Sequence, residues 1–123
     1  MTDPHARNMA ILNNAESERD FQQKVVDYAH LTGWKVAHFR PAYTEKGWRT
    51  PVAADGKGFV DLVLAKVGRE VIYAELKTNR GKLTREQGDW KFILSQCPGV
   101  EYKIWRPRDW EQIEKILGEG RTT

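Results

Sequence analysis

Cysteine is almost missing from this chain: Cys97 stands alone among 123 residues. One thiol excludes an internal disulfide and a cysteine-rich zinc site, and it fits a reducing, cytoplasmic setting. Long apolar runs are missing as well. None approaches the ~20 residues that cross a bilayer, so no membrane association is expected. The N-terminal region has only the tetrapeptide 9–12 where a secretory leader would carry its apolar segment. The histidines, His5, His30 and His38, lack metal-ligand spacing. There is no Ser-His-Asp or Cys-His arrangement and no Gly-rich phosphate loop, so neither nucleotide hydrolysis nor a nucleotide cofactor is expected.

What is present describes one ordinary domain. A hydrophobic content of 40% supports a real core and 30% charged residues a well-solvated surface, a balance unlike that of disordered, collagenous or membrane chains. The net charge of +3 is unevenly spread. Residues 35–57 hold five basic side chains (Lys35, Arg40, Lys46, Arg49, Lys57) against two acids. Residues 77–91 repeat that ratio with Lys77, Arg80, Lys82, Arg85 and Lys91. Basic stretches on either side of an acidic motif fit a polyanion held over an acidic centre. Equally, they fit a solvated loop and helix.

The coarse organisation reads from periodicity and punctuation. Residues 1–15 have no sustained period and are expected as a loose arm; 16–117 form the domain and 118–123 a frayed tail. Ser17 is placed to cap a helix to about Thr32, with Phe21, Val25, Tyr28 and Ala29 on its apolar face and Gly33 ending it. Residues 34–39 read as a strand. Pro41, Gly47, Pro51, Gly56 and Gly58 make 40–58 a long loop. Residues 59–66 and 71–77 are strand-like and joined by a short turn with Gly68, the spacing of an antiparallel hairpin. Thr84-x-x-Gln87 has the form of a capping box for a helix to about Gln96. Residues 100–105 form a further strand, and Pro107 opens a last helix to Leu117. The predicted fold is α/β, order α-β-β-β-α-β-α, with a central mixed sheet flanked by helices.

Ionisable groups stand where the strands are otherwise apolar. Every near neighbour of Asp61 is hydrophobic, so its carboxylate needs a partner or a cation. Glu75 and Lys77, two apart, project from one face of the next strand. If the hairpin forms, Asp61 approaches Glu75 across the ladder. A divalent cation would relieve the repulsion of two such carboxylates, and oxygen-only donors favour Mg²⁺ or Mn²⁺ over zinc. An ammonium at Lys77 would then orient the attacking water and balance charge developing on a phosphate. A plain salt bridge from Lys77 to either acid is the simpler alternative.

Gly58-x-x-Asp61, Glu75-Leu76-Lys77 and Gly81-Lys82-Leu83-Thr84-x-x-Gln87-x-x-Trp90 together resemble the VRR-NUC branch of the PD-(D/E)XK nuclease superfamily. The resemblance runs from about Glu18 to Trp105; Val60 replaces the proline often found before the motif aspartate. It implies a restriction-endonuclease-like core in which Asp61, Glu75 and the Leu76 carbonyl hold the metal and Lys77 is the catalytic lysine. Glu18 matches an acidic position that holds the metal or its water, or else is an ordinary helix-start acid. Gln87 matches a motif glutamine of the site, or else serves only the capping box.

Lys82 and Arg85 fall at a loop and helix start suited to phosphate. Arg40, Lys46, Arg49 and Lys57 would grip a backbone from the long loop, with Trp48 or Tyr43 stacking on a base. Trp34, Trp90, Trp105 and Trp110 read as core. The resemblance implies a structure-selective nuclease for junction, flap or other branched DNA in replication, repair or recombination. It would act as a homodimer in a bacterial cell or phage-infected host. The rival readings are a catalytically silent nucleic-acid-binding module of the same fold and a protein-interaction domain with internal ion pairs.

Overall fold

The computed structural model describes residues 4–39, 42–50 and 52–118, with side chains described from 18 onward except at 42–44 and 48. Helix α1 spans Pro4–Leu31, so it starts well before Ser17, and from Pro4 the expected loose arm belongs to the helix. The reason is local. Pro4 has the φ of a first helical turn, and no glycine or proline follows until Gly33, while Ala6, Arg7, Met9, Ala10 and Leu12 are strong helix formers. Ser17 is therefore an interior residue. At the C-terminus Gly33 is left-handed (φ +92°). Its N–H donates to the His30 carbonyl at 3.1 Å, and that of Trp34 to Ala29 at 2.9 Å, which satisfies the last carbonyls.

Strand β1 (Lys35–His38) follows, then β2 (Ala42–Thr44) and β3 (Gly47–Arg49), a small antiparallel hairpin inside the segment expected to be all loop. Next come β4 (Leu62–Ala65), β5 (Val71–Leu76), α2 (Arg85–Ser95) and β6 (Val100–Trp105). A 3₁₀ turn (Pro107–Asp109) leads into α3 (Trp110–Gly118). The main sheet has the order β1-β4-β5-β6. Its first two pairings are antiparallel and the β5–β6 pairing is parallel, with α2 as the crossover. The chain is thus α/β, a four-stranded mixed sheet with three helices. No described helix is long and apolar enough to cross a membrane.

Strand alternation divides the two faces. Leu62 and Leu64 of β4 and Ile72, Ala74 and Leu76 of β5 are buried with Phe21, Val25 and Ala29 of α1 and Ile113 and Leu117 of α3. Trp34 closes this core. Its indole N–H donates to the Leu117 carbonyl at 2.9 Å, while the Arg69 guanidinium lies 4.8 Å from its ring. Residues 61, 63, 73 and 75 point the other way, toward α2. There Phe59 makes edge contacts with Phe39, Tyr73 and Trp90, and the Trp90 indole donates to the Asp55 carbonyl. Trp90 therefore fastens the loop before β4 onto α2.

This division predicts opposite costs for two apolar residues of one hairpin. Leu64→Ala, at a site with 0% exposure, should lose about 2–5 kcal/mol in urea unfolding. Val67→Ala, at the exposed turn, should stay within about 0.5 kcal/mol of wild type. Equal costs would mean the register is wrong.

Candidate active site

The β4–β5 register sets the centre of the site. Leu62 pairs with Ala74, so the next position outward sets Asp61, in the bend before β4, opposite Glu75. Two main-chain bonds hold Asp61 there: its carbonyl accepts from Phe39 N–H at 2.9 Å and its Oδ2 from Leu76 N–H at 2.8 Å. Glu75 is 2% exposed, the one buried charged side chain among the described residues. Burial, followed by the charge of Asp61 and a hydrogen bond shared with it, pushes the Glu75 carboxyl up to about 8; the nearby Lys77 ammonium acts in the opposite direction. Burial and the adjacent Asp61 carboxylate both disfavour ionised Glu75.

Gln87 both caps α2 and bonds Glu75, so the cap does not keep its side chain away from that carboxyl. Its Oε1 accepts from Thr84 N–H at 2.9 Å and its backbone N–H donates to Thr84 Oγ1 at 3.2 Å, completing the capping box of α2. Its Nε2 donates to Glu75 Oε2 at 3.1 Å. The amide accepts at Oε1 and donates at Nε2, whereas an ionised glutamate here would complete the box but offer Glu75 no donor. Gly58 allows the close approach. It is left-handed (φ +81°), and a Cβ there would lie 2.5 Å from Glu86 Cβ and 2.8 Å from Gln87 N. The loop before Asp61 thus abuts the first turn of α2.

Lys77 continues the parallel pairing past Leu76, its N–H donating to the Trp105 carbonyl at 2.9 Å. That keeps it on the Glu75 face. It lines a cavity of roughly 440 Å³ together with Glu18, Phe21, Asn79 and Arg80. Asp61 and Gln87 line a second cavity of roughly 630 Å³, with Arg49, Lys57 and Gly58 of the long loop. A hydrogen bond joins Gln87 to Glu75, the register sets Asp61 opposite Glu75, Lys77 stands close by, and Glu18 shares the cavity of Lys77. Among the described residues no three His, Cys, Asp or Glu side chains form one cation-binding group; the carboxyls form a pair. That pair is an oxygen-only donor set, the chemistry that hard divalent cations prefer. Leu76 contributes its N–H to Asp61.

The expected nucleic-acid contacts are more scattered. Lys46, Arg49, Lys82 and Arg85 are exposed. Lys57 is exposed too, 3.9 Å from Glu86 Oε2. Arg40 lies outside the described residues, as do the side chains of Tyr43 and Trp48. No protein-family model matches the chain, and no curated protein aligns with it significantly.

Two neighbours of the site carried no local signal. Tyr102 of β6 pairs with Tyr73 and so shares the Glu75 face. Burial, then the charges of Glu75 and Asp61, push its phenol up to about 12. Its alternation with Ile104 is visible in sequence, but its nearness to Glu75 requires the parallel register. Arg106 bonds to residues 28 and 25 positions away, which no short-range pattern reveals.

The Glu75 shift has a definite sign. Its folded value lies above the 4.5 of an ordinary glutamate. Its contribution to stability is complete below that value and is lost as pH rises toward about 8. In thermal melts with EDTA, Glu75→Gln should remove this fall between pH 5 and about 8 relative to wild type; parallel wild-type and variant profiles would contradict a protonated Glu75. Gly58→Ala should lose about 1–3 kcal/mol and weaken the contact between the loop and α2. An unchanged unfolding midpoint would refute the tight approach.

Proposed function

We propose that this chain is a metal-dependent nuclease of the VRR-NUC type, built on a restriction-endonuclease-like core, that hydrolyses phosphodiester bonds in DNA. The carrying observation is the carboxyl pair of Asp61, in the bend before β4, and buried Glu75 of β5, with Lys77 on the face of Glu75. A purely structural core has little use for such a pair, since burying two like-charged groups costs free energy that apolar side chains would not. Mg²⁺ or Mn²⁺ bound there would polarise a phosphoryl oxygen and supply a water of lowered pKa.

The chain's own groups would do the rest. Asp61 is oriented by Leu76 N–H and Glu75 by the Gln87 amide, so neither carboxylate need reorganise when a cation displaces the proton. Lys77 would orient the attacking water and balance charge growing on the phosphate. Glu18, across the same cavity, would accept a hydrogen bond from that water. Lys46, Arg49, Lys57, Lys82 and Arg85 would hold the strand by its phosphates. Branched or flapped DNA is the proposed substrate. A homodimer is the proposed assembly, since one domain brings one site and two strands need two.

The test is cleavage of labelled four-way junction, flap, single-stranded and duplex DNA with Mg²⁺, Mn²⁺ or EDTA. Wild type should cut only with metal, and Asp61→Asn and Lys77→Ala should each lose about a hundredfold or more. Unchanged cutting in both variants would remove the site assignment. DNA binding without cutting would favour the catalytically silent module.

A further inference from the structure

The turn after Lys77 is held from the far end of the chain. It closes with Gly81 N–H donating to the Thr78 carbonyl at 3.2 Å. Arg106, between β6 and α3, grips both ends of it: one Nη1 donates to the Thr78 carbonyl at 2.6 Å and to the Gly81 carbonyl at 2.7 Å. Arg106 is itself fixed, its N–H donating to Asp109 Oδ2 at 2.9 Å and its carbonyl accepting from Asp109 N–H at 2.8 Å. Arg108 completes the clamp. Its N–H donates to Asn79 Oδ1 at 3.0 Å and its guanidinium to the Asn79 carbonyl at 3.4 Å.

Three of the turn's four carbonyls are thus bonded from one side, and Arg80 stands exposed at the apex. Arg80, Lys77, Thr78 and Asn79 line one cavity. Gly81 lies against the stem of Lys77, with a Cβ there falling 3.4 Å from Lys77 Cδ, so the turn also buttresses the lysine. Neither Lys77 nor Arg80 forms an ion pair with a described carboxylate. Two cations face the cavity against the single carboxylate of Glu18. A guanidinium, an ammonium, a hydroxyl and an amide around one open space match the oxygens of a phosphodiester, and arginine's planar fork suits them best.

We propose that this turn is a phosphate seat for the nucleic-acid strand beside the phosphate at Lys77. Arg80 grips the phosphodiester, and Arg106 is the residue that positions the turn. The inference rests on the site's taking a nucleic-acid strand, as in the function proposed above, and not on turnover.

Binding separates the two. Anisotropy of a fluorescein-labelled four-way DNA junction, titrated in EDTA across a salt series, gives the slope of log affinity against log salt. Arg80→Ala should make that slope shallower by about 0.9, the loss of one phosphate contact. Arg80→Lys should restore most of it, and Lys115→Ala, an exposed residue of α3, should leave it unchanged. Arg106→Met should lower the slope as Arg80→Ala does, and the double variant should fall no further, as expected when one residue acts through the other. An unchanged slope in Arg80→Ala, or a wild type that does not bind, would overturn the phosphate seat. An additive double variant would overturn the positioning role of Arg106. Slopes that change as expected in a protein that never cuts DNA would leave the seat standing and remove the nuclease reading.

Discussion

The approach of Asp61 to Glu75, set by the register of β4 against β5, is the constraint around which this half of the molecule is organised. It exists because β4 and β5 pair with Leu62 opposite Ala74, a register chosen by the apolar face on the other side of the sheet. A slip of one residue would turn Leu62 and Leu64 out of the core and both acids into it. Hydrophobic burial under α1 and α3 therefore fixes the electrostatics on the α2 side. The consequence is a Glu75 carboxyl pushed up to about 8, first by burial and then by the neighbouring charge of Asp61.

Around that pair the contacts are short and directional. Gln87 ties α2 to β5 through Glu75 while closing its own helix cap. Gly58 lets the loop before Asp61 meet the same helix turn. Trp90 and Phe59 cover the loop with apolar surface. On the other side of Lys77, Arg106 and Arg108 replace apolar packing with bonds to main-chain carbonyls. One flank of the site is thus held by rings and the other by guanidinium groups. Both kinds of support hold the side chains of the site in place.

Much of this was legible beforehand. The hairpin of β4 and β5, the capped start of α2 and the pairing of Asp61 with Glu75 followed from period-two alternation and from Thr84-x-x-Gln87. The start of α1 was misplaced because Ser17 is a good cap residue, yet a run of strong helix formers with no breaker carries the helix back to Pro4. The hairpin within the long loop carries no clear pattern because its strands have three residues each and β3 begins at Gly47. Thr84-x-x-Gln87 signals the cap, but no sequence pattern shows that the same side chain also reaches Glu75.

Local sequence pattern encodes which faces are apolar, where the chain turns and that Glu75 and Lys77 share a strand face. Those properties depend on residues near one another along the chain. Only the tertiary structure decided that Tyr102 shares the Glu75 face, that Gln87 reaches Glu75, and that Arg106 holds the turn displaying Arg80. Each of these joins segments far apart in sequence. Their nearness depends on the parallel crossover from β5 through α2 to β6, and no local propensity encodes that distance.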